Sequence, residues 1–221
     1  KENNKNNFSI SYPIKLYLCK SCRLVQNNFI VGDKKLYNKD YHYRPGISKT
    51  VENNLFNLAV KLIELYSLEK NDLIVDVGCS DGTLLNSFKK LGFQNVVGVE
   101  PTNTYKIAKK KGIFTINSFF NKKSSSQILK KFGKAKLITT TNVFAHTGEL
   151  KEFISGVNKT LSNNGIFVVE NHYLKDIIEK VQFDSFYHEH LRTYSLKSLI
   201  KLLKYYKLNI IDAYTTERYN G

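Results

Sequence analysis

The stretch Ile74-Val-Asp-Val-Gly-Cys-Ser-Asp-Gly-Thr83, IVDVGCSDGT, decides how the rest of the chain is read. The short apolar run Leu73–Val77 predicts a buried strand, and glycines at 78 and 82 let the backbone turn sharply into a helix over Gly82–Leu91. Such a turn aims free helix N–H groups outward, where a polar ligand can approach the backbone closely. The alternation then continues, with strands expected over Val96–Glu100, Phe114–Ile116, Leu137–Thr141 and Ile166–Glu170. Between them, helices are expected over Thr104–Lys111, Lys122–Phe132 and Glu149–Leu161. Strand and helix alternating at this spacing predict an α/β fold, a parallel sheet covered by helices on both faces. A helix over Ser195–Tyr206 and a strand over Leu208–Tyr214 are expected to close it. Upstream, Ser48 fits an N-cap for a helix whose apolar stripe is Val51, Leu55, Leu58, Leu62 and Leu65.

The glycine loop admits three chemical readings. Gly78-Cys-Ser-Asp-Gly82 matches the G-x-S-x-G elbow of serine hydrolases, but that elbow follows a central strand reached after several others, and here it follows the first recognisable one. Ser80 is therefore not read as a nucleophile, and Cys79 is read as a small residue lining the turn. A nicotinamide dinucleotide fold wants G-x-G-x-x-G, which this loop does not supply. The pattern Asp76-x-Gly78-x-Ser80-x-Gly82 instead resembles the first motif of S-adenosylmethionine-dependent methyltransferases, with Ser80 in place of the middle glycine. Glu100, 24 residues after Asp76 at the end of the next strand, is placed to accept hydrogen bonds from ribose hydroxyls.

Composition limits the other classes. The 221 residues are enough for one α/β domain and a small appendage, and no stretch has the apolar length of a membrane span or of a secretory leader, so a soluble, cytoplasmic protein is expected. The chain begins at Lys1 and contains no methionine, from which a piece of a longer protein is expected. A net charge of +15 raises a nucleic-acid reading, yet 30 of the 34 cations are Lys and 4 are Arg, beside 23 Asn. Nucleic-acid interfaces lean on the planar Arg fork, so a solvated Lys-rich surface is favoured. Residues 1–7 are polar and expected to fray.

Seven stretches taken in order resemble one family, the sugar C-methyltransferases that act on nucleotide-linked keto-deoxysugars. They are YPIKLYLCKSCRLVQ (12–26), YHYRPGISKT (41–50), DVGCSDGTLL (76–85), GVEPT (98–102), TINSFF (115–120), NVFAH (142–146) and FYHEHLRTYS (186–195). The resemblance implies a Rossmann-like class I methyltransferase domain, here over 47–221, preceded over 1–46 by part of a zinc-binding module and a Tyr-rich connector. It also implies a further C-terminal domain, of which the final YNG looks like the approach. In that family zinc is held by two Cys pairs; Cys19 and Cys22 match the second, and two free thiols in a small turn are the alternative. For the cofactor, S-adenosylmethionine, the matched positions imply Asp76, Gly78, Ser80 and Gly82 around the methionine part and Glu100 on the ribose. The turn Asn117, Ser118 and Phe119 would flank adenine, with Ser118 standing where relatives often carry an acid. Asn142 and His146 follow the fourth strand of that domain, and His146 is either a site residue or a capping or core histidine.

Carbon methylation requires that a proton be pulled from carbon beside a ketone, so a base near neutral pKa and donors at the ketone oxygen are needed. Tyr187-His-Glu-His190 supplies such groups on the side of the sheet where α/β ligands bind. By resemblance His190 is the base, with Glu189 and Tyr187 beside it, and Tyr43 is expected to reach over the same cleft. Glu189 either orients an imidazole or holds a sugar hydroxyl. His188 is read as a structural hydrogen-bonding residue; a metal on His188 and His190 is disfavoured because no third ligand is close in sequence. The expected partner is a nucleotide-linked sugar, with neither membrane nor nucleic acid, and the oligomeric state is open. Two other classes fit the same chain, a nucleic-acid methyltransferase and a non-catalytic interaction module that keeps the fold.

Overall fold

The computed structural model describes residues 11–38 and 41–216. The polar residues 1–7 and the final YNG lie outside that range. The chain starts with a hairpin, β1 (Leu16–Leu18) and β2 (Val25–Asn27), whose turn carries Cys19 and Cys22. A single helical turn, α1 (Asp33–Leu36), leads into the Tyr-rich connector, and α2 (Lys49–Tyr66) follows. Ser48 caps α2 as the sequence predicts, its hydroxyl accepting from the Val51 amide at 3.4 Å. Leu55, Leu58 and Leu62 of the expected stripe are buried together with Ala59, whereas Leu65 is 48% exposed, because the buried arc turns onto Ala59.

The main domain then alternates β3 (Ile74–Val77), α3 (Thr83–Lys90), β4 (Val96–Val99), α4 (Tyr105–Lys110), β5 (Phe114–Ile116), α5 (Lys122–Phe132), β6 (Ala135–Thr141), α6 (Leu150–Thr160) and β7 (Leu161–Glu170). The five strands lie in the order β5-β4-β3-β6-β7, and every pairing is parallel. β3 and β4 are buried at every position, which is why they read as apolar runs rather than as alternating strands. Two apolar clusters fill the space on the sheet's faces. Ile128, Ile138, Phe144, Phe153 and Ile154 belong to one, and Leu62, Ile74, Leu85, Phe88 and Phe93 to the other. The strand order reverses between β3 and β6, and ligands of open α/β sheets bind beyond the carboxyl ends of strands at such a point.

After the sheet come α7 (Leu174–Glu179), β8 (Arg192–Thr193) and α8 (Leu196–Tyr205), the last capped by Ser195 in a capping box with Ser198. β8 pairs with β2, so a three-stranded antiparallel sheet of order β1-β2-β8 ties the N-terminal hairpin to the segment that follows FYHEHL. Neither α7 nor this sheet is expected from the sequence. The expected strand over Leu208–Tyr214 is absent, and these residues have no regular structure. Leu208 and Ile210 pack on the core while Ile211 is 69% exposed, so the alternation of a strand is present without the hydrogen-bonded ladder that makes one. No helix among the described residues is long and apolar enough to cross a membrane.

Ile138 in β6 is fully buried. Ile138→Ala is expected to cost about 2–5 kcal/mol of stability, read as a lower urea midpoint at unchanged slope; a loss within about 0.5 kcal/mol contradicts this account of the core.

Candidate functional site

A cavity of about 870 Å³ opens at the carboxyl end of the sheet. Asp76, Gly78, Ser80, Glu100, Ser118, Phe119, Asn142, His146 and Tyr43 line it, so nine residues singled out in the sequence converge. The turn after β3 forms its floor. Gly82 has φ +75°, and a side chain there would put its Cβ 2.7 Å from Ile113 Cδ1 and 2.9 Å from Ala108 Cβ, so only glycine fits. The amides of Gly78 and Cys79 both donate to the Val99 carbonyl, at 2.8 and 3.2 Å, which ties the turn to the end of β4.

Glu100 is 5% exposed, and its two oxygens accept from Ser80 N at 2.9 Å and Thr102 N at 2.8 Å. A carboxylate has about four lone-pair sites, so acceptors remain for a pair of hydroxyls. Burial holds the carboxyl of Glu100 above its usual range, against the hydrogen bonds from Thr102 and Ser80. Asp76, fully enclosed, is pushed up to about 7 by burial, with the Thr139 hydroxyl at 2.7 Å opposing and Glu100 adding to the shift. The Ser118 hydroxyl is buried without a hydrogen-bond partner on the cavity wall, a position that a polar ligand group would satisfy. Asn117 does different work: its amide donates to the Glu100 and Pro101 carbonyls at 2.9 and 3.0 Å and holds the turn after β4. Depth, glycine floor, buried carboxylate and orphaned hydroxyl together suit a nucleoside-containing ligand such as S-adenosylmethionine.

Beside this cleft stands a cluster of imidazoles and phenols. His146, on the single 3-10 turn Phe144–His146, lines the cavity; His190 meets it edge-on at 4.9 Å between ring centroids. His172 stacks on His190 at 4.2 Å, and Tyr187 lies 4.1 Å from it. His190 therefore stands behind His146 rather than on the main cavity wall. The Nδ1 of His190 lies 2.6 Å from the Ser185 carbonyl. A carbonyl only accepts, so Nδ1 carries the hydrogen and Nε2 keeps its lone pair, the tautomer of a general base. Burial lowers the pKa of His190, with the Ser185 contact opposing, so the ring is neutral at pH 7. Burial also lowers His146 to about 3 and His172 to about 4, and in each a charge on His190 lowers it further.

Two phenols missed in the sequence complete the cluster. Tyr37 Oη lies 2.6 Å from His146 Nδ1, and Tyr41 Oη donates to Glu189 Oε2 at 3.3 Å. Burial raises the pKa of both phenols, with the Glu189 carboxylate adding to the shift, so both keep their hydrogens. Glu189 Oε2 lies 3.8 Å from His146 Nδ1, beyond hydrogen-bond distance, so the Tyr41 phenol is its direct partner. The density of Tyr between 37 and 45 is the available signal in the sequence; Tyr43, expected over the cleft, lines the cavity and is 51% exposed. Nothing in the sequence separates His172 from a surface residue. His188 binds the Tyr12 carbonyl at 2.9 Å, a tie to the N-terminal segment. Ser80 Oγ donates to the Tyr43 carbonyl at 3.0 Å, and no imidazole holds it as a nucleophile.

Cys19 and Cys22 sit together in the β1–β2 turn, where the Cys22 amide pulls the Cys19 thiol down. They supply two of the four donors a tetrahedral zinc needs. Among the described residues no group of three or more His, Cys, Asp or Glu could hold a metal, so the expected zinc is not supported and the pair is described as two thiols in a turn.

Residues 51–213 match the family model described as "Methyltransferase domain". The chain is 29% identical over 211 residues to the C-methyltransferase NovU of Streptomyces niveus, covering 95% of this chain and 50% of the relative. It thus spans about half the length of that curated relative. Among solved structures it resembles an S-adenosylmethionine-dependent methyltransferase from Clostridium acetobutylicum (TM-score 0.57, 18% identity, 85% of this chain and 92% of that one). It also resembles one from Archaeoglobus fulgidus (TM-score 0.56, 16% identity, 74% and 81%). At these identities the structural likeness bears on the fold.

The imidazole shifts have a testable sign. Between the ordinary value of 6.5 and about 3, the unfolded chain binds a proton at His146 that the folded chain refuses. Stability present above pH 6.5 is therefore lost as pH falls toward 3. In urea titrations across this window, His146→Phe is expected to lose stability less steeply than the unaltered chain, with Asp76 contributing equally to both. Parallel slopes would show that His146 is not buried neutral.

Proposed function

Because the chain belongs to the methyltransferase-domain family, we propose that it moves a methyl group from S-adenosylmethionine to a ring carbon of a nucleotide-linked 4-keto-deoxysugar. When bound, the cofactor supplies an electrophilic methyl on a sulfonium. Glu100 would hold the ribose hydroxyls, the turn Gly78–Gly82 would receive the methionine part, and Ser118 with Phe119 would flank the adenine. The observation that carries the carbon-methylation reading is the tautomer of His190, set by the Ser185 carbonyl, beside a cleft built for a nucleoside. Its Nε2 takes the proton from the carbon next to the ketone. Tyr37 Oη lies 2.6 Å from His146 Nδ1, and in the tautomer where the phenol donates there, Nε2–H of His146 is the donor toward the developing enolate oxygen. Glu189 and Tyr41 hold this pair in place. The 29% identity to a C-methyltransferase supports the same reaction class.

Calorimetric titration with S-adenosylhomocysteine, with NAD in parallel, tests the cofactor half; saturable binding of the first and none of the second is expected, and the reverse overturns it. His190→Ala is expected to lower turnover on a nucleotide-linked 4-keto-deoxysugar by about 100-fold or more while leaving S-adenosylhomocysteine affinity unchanged. A variant that turns over normally removes His190 from the chemistry.

A further inference from the structure

Ser80 occupies the position where the methyltransferase motif has glycine, and it adopts the left-handed conformation that glycine takes freely and serine does not, with φ +49°. A residue kept under such strain at a ligand-binding turn invites a search for what its side chain does. Its hydroxyl donates to the Tyr43 carbonyl at 3.0 Å, 37 residues upstream. The next residue reaches the same segment, Asp81 Oδ2 accepting from the Gly46 amide at 3.1 Å. Contact there is so close that a Cβ on Gly46 would fall 2.5 Å from Asp81 Oδ2 and 2.8 Å from Thr83 Oγ1. Asp81 is itself held by the Thr83 hydroxyl at 2.6 Å and faces Lys111 at 3.6 Å. The connector is thus bolted onto the cofactor turn at two points, and Tyr41, Tyr43 and Pro45 become part of the cavity wall.

Two residues before the first bolt, Tyr41 donates to Glu189, whose Oε2 lies 3.8 Å from His146 Nδ1. Tyr41 also packs edge-on against Tyr37 at 5.2 Å, and Tyr37 bonds that same Nδ1. We propose that Ser80 is a positioning residue for the imidazole cluster: its bond to the Tyr43 carbonyl straps the connector over the cofactor turn and so delivers Tyr41 to Glu189. The amide of Ser80 meanwhile donates to Glu100, the ribose acceptor. One residue therefore sets the geometry of the cofactor acceptor and of the groups that orient His146. This inference rests on the proposed reaction for the role of the cluster, while the strap itself does not.

The experiment compares Ser80→Ala and Ser80→Gly with the unaltered chain; both lose the hydroxyl, and only the glycine relieves the backbone. Hydrogen exchange of the amides of residues 41–47 is expected to speed up by about tenfold in both variants. S-adenosylhomocysteine affinity should stay within about threefold, while kcat falls by about tenfold at nearly constant KM for the cofactor. Unchanged exchange in both variants overturns the strap. Faster exchange with unchanged kcat overturns its service to the cluster, and loss of S-adenosylhomocysteine binding in Ser80→Gly reassigns Ser80 to the cofactor. Should the unaltered chain itself fail to bind S-adenosylhomocysteine, the proposed function falls, and the exchange measurement still decides the strap.

Discussion

The turn that leaves β3 constrains everything at the functional end of the molecule. β3 is paired on both sides and buried at every residue, so it cannot shift to suit a ligand. The chain must reverse from that strand into α3 between Gly78 and Gly82, and two consecutive amides of the turn are spent on the Val99 carbonyl of the neighbouring strand. This leaves the Ser80 amide aimed at Glu100, and the side chains of Ser80 and Asp81 turned to the connector. The cofactor floor, its buried carboxylate and the seat of the connector follow from one strand end.

Burial pushes the deepest groups of the cleft and of the imidazole cluster in one direction, toward neutrality. It raises Asp76 to about 7, raises Glu100 and the phenols of Tyr37 and Tyr41, and lowers His146, His172 and His190. Charged side chains also stand on the cavity wall, among them Lys35, Lys122, Lys123, Glu149 and Glu152. Most of the lysines that dominate the composition stand away from the cavity, where salt screens them. In such an interior, a hydrogen bond whose donor and acceptor are both fixed counts for more than a nearby charge in water.

The α/β alternation was legible because the parallel sheet is covered on both faces, which turns its central strands into short apolar runs separated by helices. The glycine turn and Glu100 were legible because their chemistry is local, carried within a few residues of two strand ends. What escaped is non-local. The sheet of β1, β2 and β8 joins residues 16–27 to 192–193, and no local pattern announces a pairing across most of the chain. Tyr37 and Tyr41 were passed over for Tyr43 because the choice among neighbouring tyrosines depends on how the connector is bolted down, which the turn decides from 37 residues away. Leu208–Tyr214 erred in the opposite way, since alternation supplies a face to bury but not a partner strand.

Three imidazoles in ring contact cannot all be charged, and the order in which they take protons bears on the proposed reaction. His146 and His172 are each depressed further by a charge on His190, so a proton on His190 makes the other two harder to protonate. In the proposed reaction, a proton arriving on His190 Nε2 from the carbon beside the ketone would raise the cost of protonating His146. His146 remains neutral, with Tyr37 on Nδ1 and its remaining N–H free to hold the oxygen on which negative charge develops. The same mutual repulsion that keeps the cluster uncharged at rest thus separates the base from the donor once the proton has moved. That division of labour needs Glu189 and Tyr41 only as fixtures, which is consistent with their place one step back from the rings.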